Sequence, residues 1–210
     1  ARAYPPSTPV PPALMHASPQ PDSIDGGSLS SSHSFDGGWF QLYFTDPTYP
    51  AARQFAGGPD GPLAAAIDAA HLSVEAAFFS LSLKTIQQAL LRAHRRGVRV
   101  RLVMESDNID EPVPEALKEA GIPILGDRRE GLMHNKFVII DRGEVWTGSM
   151  NPTGDGAYED RNNLLRVRST KVAADYETEF DEMFVDDKFG QDVVAATPYP
   201  HVVVDGTPLD

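Results

Sequence analysis

The stretch that most restricts the fold is LSVEAAFFSLSLKTIQQALLRAHRRGVRVRLVMES, residues 72–106, because its hydrophobic period changes twice. Residues 72–83 are mostly apolar with Ser and Glu interleaved, the composition of a strand inside a sheet. Residues 84–97 place Ile86, Ala89, Leu90 and Ala93 on one side of a helix that Gly97 stops. Residues 98–106 return to period two, with Val98, Val100 and Leu102 on one face and Arg99 and Arg101 on the other. Strand, helix and strand of these lengths imply a right-handed crossover between parallel strands.

The pattern continues on both sides. Trp39–Phe44 is a short β-favouring run, and a Pro/Gly loop over 46–62 leads to a helix at Leu63–Ala70 with Pro62 in its first turn. Residues 112–121 read as a short helix, 122–125 and 163–169 as strands. Residues 172–187 read as a helix with Tyr176, Phe180, Met183 and Phe184 on its buried face; its acidic face is given no function. The predicted fold class is α/β, a mixed, mostly parallel sheet sandwiched between helices. It spans residues 39–190. Residues 1–38, rich in Pro, Ser and Gly, are expected to be a disordered leader. Residues 191–210 form a tail, in which HVVVDGTPLD echoes HSFDGGWFQLYF at an offset of 169 residues, as the start of a second repeat would.

Composition removes some classes of function. The 210 residues contain no cysteine, so disulfide frameworks and thiolate zinc sites are out. No apolar run approaches the roughly 20 residues of a membrane helix. The net charge of −12 lies at the ends, since residues 63–171 hold fifteen basic and fifteen acidic residues. That weakens nonspecific polyanion binding without forbidding a local cationic cleft. Arg99 and Arg101, with the basic end of the preceding helix, are read as the wet side of a strand and a solvated helix terminus. The Pro/Ser-rich leader and the first residue, Ala rather than Met, point to a secreted or cell-envelope protein.

Chemistry concentrates in GLMHNKFVIIDRGEVWTGSMN, residues 131–151, which reads as a hairpin turning at Arg142-Gly143. It contains H-x-K-x4-D as His134, Lys136 and Asp141, then G-S-x-N as Gly148, Ser149 and Asn151. Alternate residues of an extended segment share a side, so His134 and Lys136 project together while Asn135 points away. After the turn, Ser149 and Asn151 are expected to return beside them, with Phe137 and Trp146 alternating into the core. Imidazole, ammonium, hydroxyl and amide together can grip a phosphoryl group: the imidazole as nucleophile, the others as charge and hydrogen bonds. Arg128 and Arg129, just before the motif, are candidates for steering substrate at the rim.

These residues resemble the phospholipase D superfamily, whose signature is H-x-K-x4-D followed by G-S-x-N, and the similarity extends over roughly residues 39–189. The resemblance implies a metal-free, cofactor-free phosphodiesterase acting through a phosphohistidine. By that likeness His134 is nucleophile or acid, Lys136 a phosphate ligand, Ser149 and Asn151 supports for the phosphoryl oxygens, and Asp141 a mainly structural member of the catalytic motif. The mechanism implied needs two histidines, and no other histidine here has a lysine two residues on. A homodimer or a second motif-bearing repeat is therefore expected. Related nucleases carry Glu-Asn where this chain has Asn162-Asn163, so Asn162 would orient the imidazole without stabilising its charge. The expected substrate is nucleic acid, making the protein an endonuclease; phospholipid headgroups are the alternative, and a non-catalytic binding or scaffold member is a third reading.

Overall fold

The computed structural model describes residues 32–193 and 197–209. The chain enters its sheet as a hairpin of β1 (Ser32–Asp36) and β2 (Phe40–Thr45), reversing over Gly37-Gly38. β1 therefore lies inside the segment expected to be a disordered leader, whose residues 1–31 fall outside the described ones. SHSFD carries one large apolar residue and no run, so its extended state comes from pairing with β2 rather than from its own pattern.

Next come α1 (Asp60–Asp68), β3 (Ser73–Phe78), α2 (Lys84–Arg95), β4 (Arg99–Met104), α3 (Pro112–Glu119) and β5 (Ile124–Gly126). This is the part the two period changes specify. β3, β4 and β5 are parallel, joined by crossovers through α2 and α3. Then β6 (Lys136–Ile140) turns back into β7 (Glu144–Gly148), followed by β8 (Asn163–Arg168) and α4 (Thr170–Phe184). The eight strands lie in the order β1-β2-β8-β7-β6-β3-β4-β5.

The sheet is mixed and flanked by helices, as expected. Its parallel share is smaller than the sequence suggested: only the β3, β4 and β5 pairings are parallel and the rest are antiparallel. Only α2 and α3 act as crossovers between neighbouring strands; β6 and β7 meet through a short turn, which forces antiparallel pairing.

Each face of the sheet has its own core. Val74, Ala76, Phe78, Leu102, Met104, Val138, Ile140 and Trp146 pack against Leu63 and Ile67 of α1, Ile86 and Leu90 of α2 and Leu117 of α3. Ala77, Val103, Phe137, Ile139 and Val145 pack against Ala173, Phe180 and Met183 of α4. Trp146 is core, but on the same face as Lys136 rather than alternating with it, because it stands cross-strand from Val138. Under α4, Glu75 is 1% exposed and is held by Arg99 and Arg101; Arg101 also reaches Asp181 and stacks on Phe180 and Phe184. Arg101 is therefore not on a wet strand face, since the buried carboxylate needs its charge; Arg99 reaches the same carboxylate but stays exposed, as expected.

The C-terminal residues form a separate hairpin, β9 (Val202–Val204) and β10 (Thr207–Leu209), turning at Asp205-Gly206. Both echoing stretches are thus hairpins that reverse at or just after an Asp-Gly pair. Among the described residues no helix is long and apolar enough to cross a membrane.

Candidate active site

His134 and Lys136 lie at the carboxyl end of the parallel strands β3 and β4, where open α/β sheets commonly bind ligands. The strand β6 begins at Lys136, so His134 sits on irregular chain just before it. That segment is pinned from below. Glu105, which ends β4 and is 2% exposed, accepts the backbone N–H of Met133 at 2.7 Å, and Phe79 N–H donates to Asn135 O at 3.1 Å. Asp127, also buried, accepts the N–H of Ser106 at the neighbouring strand end.

The two side chains project to one side, as alternation requires. Both meet the ring of Phe79: the His134 imidazole edge-on with centroids 4.8 Å apart, the Lys136 ammonium 5.4 Å from the centroid. Lys136 Nζ also donates to His134 O at 2.8 Å. Burial holds the Lys136 amine below the usual lysine range. Asn135 points the other way, its amide on Met183 Sδ and Glu179 of α4. The imidazole is exposed, and it makes no hydrogen bond among the described residues.

Two cavities meet at this segment. The first, about 410 Å³, is walled by His134, Lys136 and Thr147 on the sheet side and by Asp175, Glu179 and Glu182 on α4. The second, about 670 Å³, has Leu132, Met133, Met183 and Phe189 as its apolar wall and Arg129 on its edge. His134, Asn135 and Glu179 border both. Burial raises the Glu179 carboxyl, and Glu182 beside it pushes the same way against the hydrogen bond from Asn135. One oxygen of Glu182 is buried without a hydrogen-bond partner.

The remaining sequence candidates are placed differently. Asp141 is at the far end of β6, roughly 17 Å from Lys136 at strand rise, and takes no part in either cavity. With Arg142 it adopts positive φ, and its carboxylate accepts the N–H groups of His71, Leu72 and Ser73. Gly148 is a glycine of necessity, since a Cβ there would lie 2.4 Å from Asn163 O. Ser149 does not turn to His134. Its hydroxyl donates to Asn162 Oδ1 at 2.9 Å and accepts Asn163 N–H at 3.0 Å. Asn162 in turn donates to Gly156 O, so this amide braces the 149–162 loop and makes no bond to the imidazole. Asn151 Oδ1 is buried with no hydrogen-bond partner among the described residues. Arg128 and Arg129 share the single carboxylate of Asp187, and Arg129 lies on the Phe189 ring, so both rim arginines are engaged while the group keeps one net positive charge.

Sequence reasoning passed over Phe79, Glu105 and the acids of α4. Glu105 was signalled by a charge ending an otherwise apolar strand; the α4 acids gave no local sign, because only the packing angle of that helix brings them to the cavity. Among the described residues no group of His, Asp and Glu is arranged to hold a metal ion.

An imidazole and a partly buried ammonium thus stand together at one strand end of a mixed sheet between helices. The chain belongs to the phospholipase D superfamily: residues 63–184 match the family model described as "Cardiolipin synthase, PLD-like domain". It is 33% identical over 117 residues to mitochondrial cardiolipin hydrolase of Xenopus laevis, covering 55% of this chain and 56% of that protein. It is 32% identical over 112 residues to a phospholipase D of Rickettsia felis, covering 52% and 56%. The chain thus spans about half the length of the curated relatives it matches. Its fold resembles Nuc, a phospholipase D family member from Salmonella typhimurium, with a TM-score of 0.57 and 24% identity over 68% of this chain and 91% of that one.

Proposed function

We propose that this chain is a phosphodiesterase working through a phosphohistidine on His134. The observation that supports it is the pairing of His134 and Lys136 on one ring at the carboxyl end of the parallel strands, within H-x-K-x4-D. The imidazole attacks phosphorus and the P–O bond to the leaving group breaks; the departing oxygen takes a proton from a second imidazole. That second imidazole then deprotonates water, which displaces the histidine and releases the phosphate ester. Lys136 balances charge on the non-bridging oxygens throughout. Among the described residues no second histidine borders either cavity, so a second copy of the chain or a further motif-bearing repeat supplies it.

For the substrate, the walls favour a phospholipid. Asp175, Glu179 and Glu182 oppose a polyanion, the rim arginines are engaged with Asp187, and the apolar cavity beside His134 has room for an acyl chain. The names of the relatives, a cardiolipin hydrolase and a phospholipase D, agree with this reading. Nucleic acid is the second reading, supported by the balanced charge of residues 63–171, which leaves the polyanion barrier to the chain's ends.

The test runs both substrates side by side in chelator: headgroup release from cardiolipin or phosphatidylglycerol vesicles, and nicking of plasmid. Headgroup release that falls by about 10⁴-fold or more in His134→Ala is expected. Nicking with the same dependence and no lipid turnover establishes the second reading, and neither activity with an intact fold overturns the phosphodiesterase assignment.

A further inference from the structure

The imidazole of His134 has no hydrogen bond to fix its ring among the described residues, and Asn162, at the position where related nucleases have an acid, is tied to Ser149 and Gly156 instead. Something else must hold the ring. Among the described residues the only ring contact His134 makes is with Phe79, edge-on at 4.8 Å between centroids. That same ring lies 5.4 Å from the Lys136 ammonium, so one aromatic side chain touches both motif residues.

Phe79 is well placed to act as a fixed reference. It directly follows β3, the central parallel strand, and both of its backbone polar groups are engaged: N–H to Asn135 O, C=O to the Asn108 side chain at 2.8 Å. The first of these bonds ties Phe79 to the residue between His134 and Lys136, so ring and motif cannot shift independently. A ring face attracts the ammonium through its quadrupole, and an edge-on contact limits the tilt of the imidazole. The ring also shields one side of the ammonium from water, in keeping with an amine held below its usual range by burial.

We propose that Phe79 is the positioning residue of this site, setting the angle of the His134 ring and the height of the Lys136 ammonium at once, in the role an acid hydrogen-bonded to the imidazole would otherwise take. The proposal rests on the phosphodiesterase reading for its kinetic consequence, and on geometry alone for the rest. An aliphatic side chain of similar volume keeps the packing and loses the quadrupole and the flat edge. Phe79→Leu is then expected to lower kcat by about 10- to 100-fold with a smaller change in KM, the scale of a misaligned reacting group. Phe79→Tyr restores the rate to within about threefold, since it keeps the ring.

Two measurements on the whole chain decide the matter. In the wild-type protein, NMR should show contacts between Phe79 ring protons and the His134 imidazole, and Phe79→Leu should move the His134 imidazole resonances. The second is the pH–rate profile on bis(p-nitrophenyl) phosphate for wild type, Phe79→Leu and Phe79→Tyr. No ring contact in the wild type, or a Phe79→Leu enzyme with unchanged rate, profile and imidazole signals, overturns the positioning role. A wild type that shows the ring contact but hydrolyses no phosphodiester leaves the geometry standing and overturns the functional reading instead.

Discussion

Asp141 Oδ1 accepts the backbone N–H of Leu72 at 2.7 Å, so the third motif residue fastens the β6–β7 turn to the start of β3 and not to the site. The same carboxylate takes the N–H groups of His71 and Ser73. On the proposed reading, part of the motif serves catalysis and part folding, and the two can be separated by mutation.

Asp141→Asn keeps a residue that tolerates positive φ but weakens three charge-assisted hydrogen bonds, for an expected loss of about 1–3 kcal/mol. Partial burial works against the charged form, yet the N–H groups of Leu72, His71 and Ser73 together hold the carboxyl below the ordinary range. A depressed folded-state value means that the stabilisation is present above the unfolded-state value and fades as pH falls through the folded one. Urea unfolding from pH 7 down to about pH 2.5 should show a steeper acid loss in wild type than in Asp141→Asn. Activity per folded molecule should be unchanged within about twofold.

Lys136 titrates in the opposite setting. Burial lowers its folded-state value, so the unfolded chain holds the proton to higher pH, and stability rises with pH across the window between the two values. Activity moves the other way, since the ammonium is the form that grips phosphate. The alkaline limb of kcat/KM should consequently fall at a pH below that of an ordinary lysine, near 10.4, and be absent from the residual rate of Lys136→Met.

The acids of α4 predict a gain from neutralisation. Glu179 carries a raised carboxyl because of burial and Glu182, so it costs stability at neutral pH and regains it as pH falls through the raised value. Glu179→Gln should unfold at higher temperature than wild type at pH 7, with the advantage shrinking toward pH 4. Removing that charge should also tighten binding of single-stranded DNA, read by fluorescence anisotropy at low salt. Weaker binding in the variant would count against the acids as a barrier to polyanions.

Asp187 holds both rim arginines, and that gives a prediction for Arg128 and Arg129. Arg129→Ala should change KM for a phosphodiester by less than about twofold, because its guanidinium is held by Asp187 and the Phe189 ring instead of reaching toward substrate. Asp187→Asn frees the pair and should strengthen anion binding instead, which an inorganic phosphate titration can follow.

How far the sequence carried depends on whether a signal was local. The change of period around 72–106 specified β3, α2 and β4, because each element has its own apolar spacing. The hairpin and the shared side of His134 and Lys136 followed from alternation. β1 escaped because SHSFD is extended only by virtue of β2. The parallel share was overestimated because period two does not say which neighbour a strand will choose. Ser149 was expected at the phosphate and Asn162 at the imidazole, and instead they hold each other, where β7 and β8 come close at Gly148. Glu179 and Phe79 reach the site only through packing across the sheet.

One boundary in the fold divides the motif mechanically. Lys136 rides on the ladder of β6, between the rows on either side, while His134 stands two residues earlier, outside the ladder. On the proposed mechanism the reacting ring is therefore placed by single bonds on its neighbours, Met133 to Glu105 and Asn135 to Phe79, so losing either anchor would disturb the ring before the cation beside it.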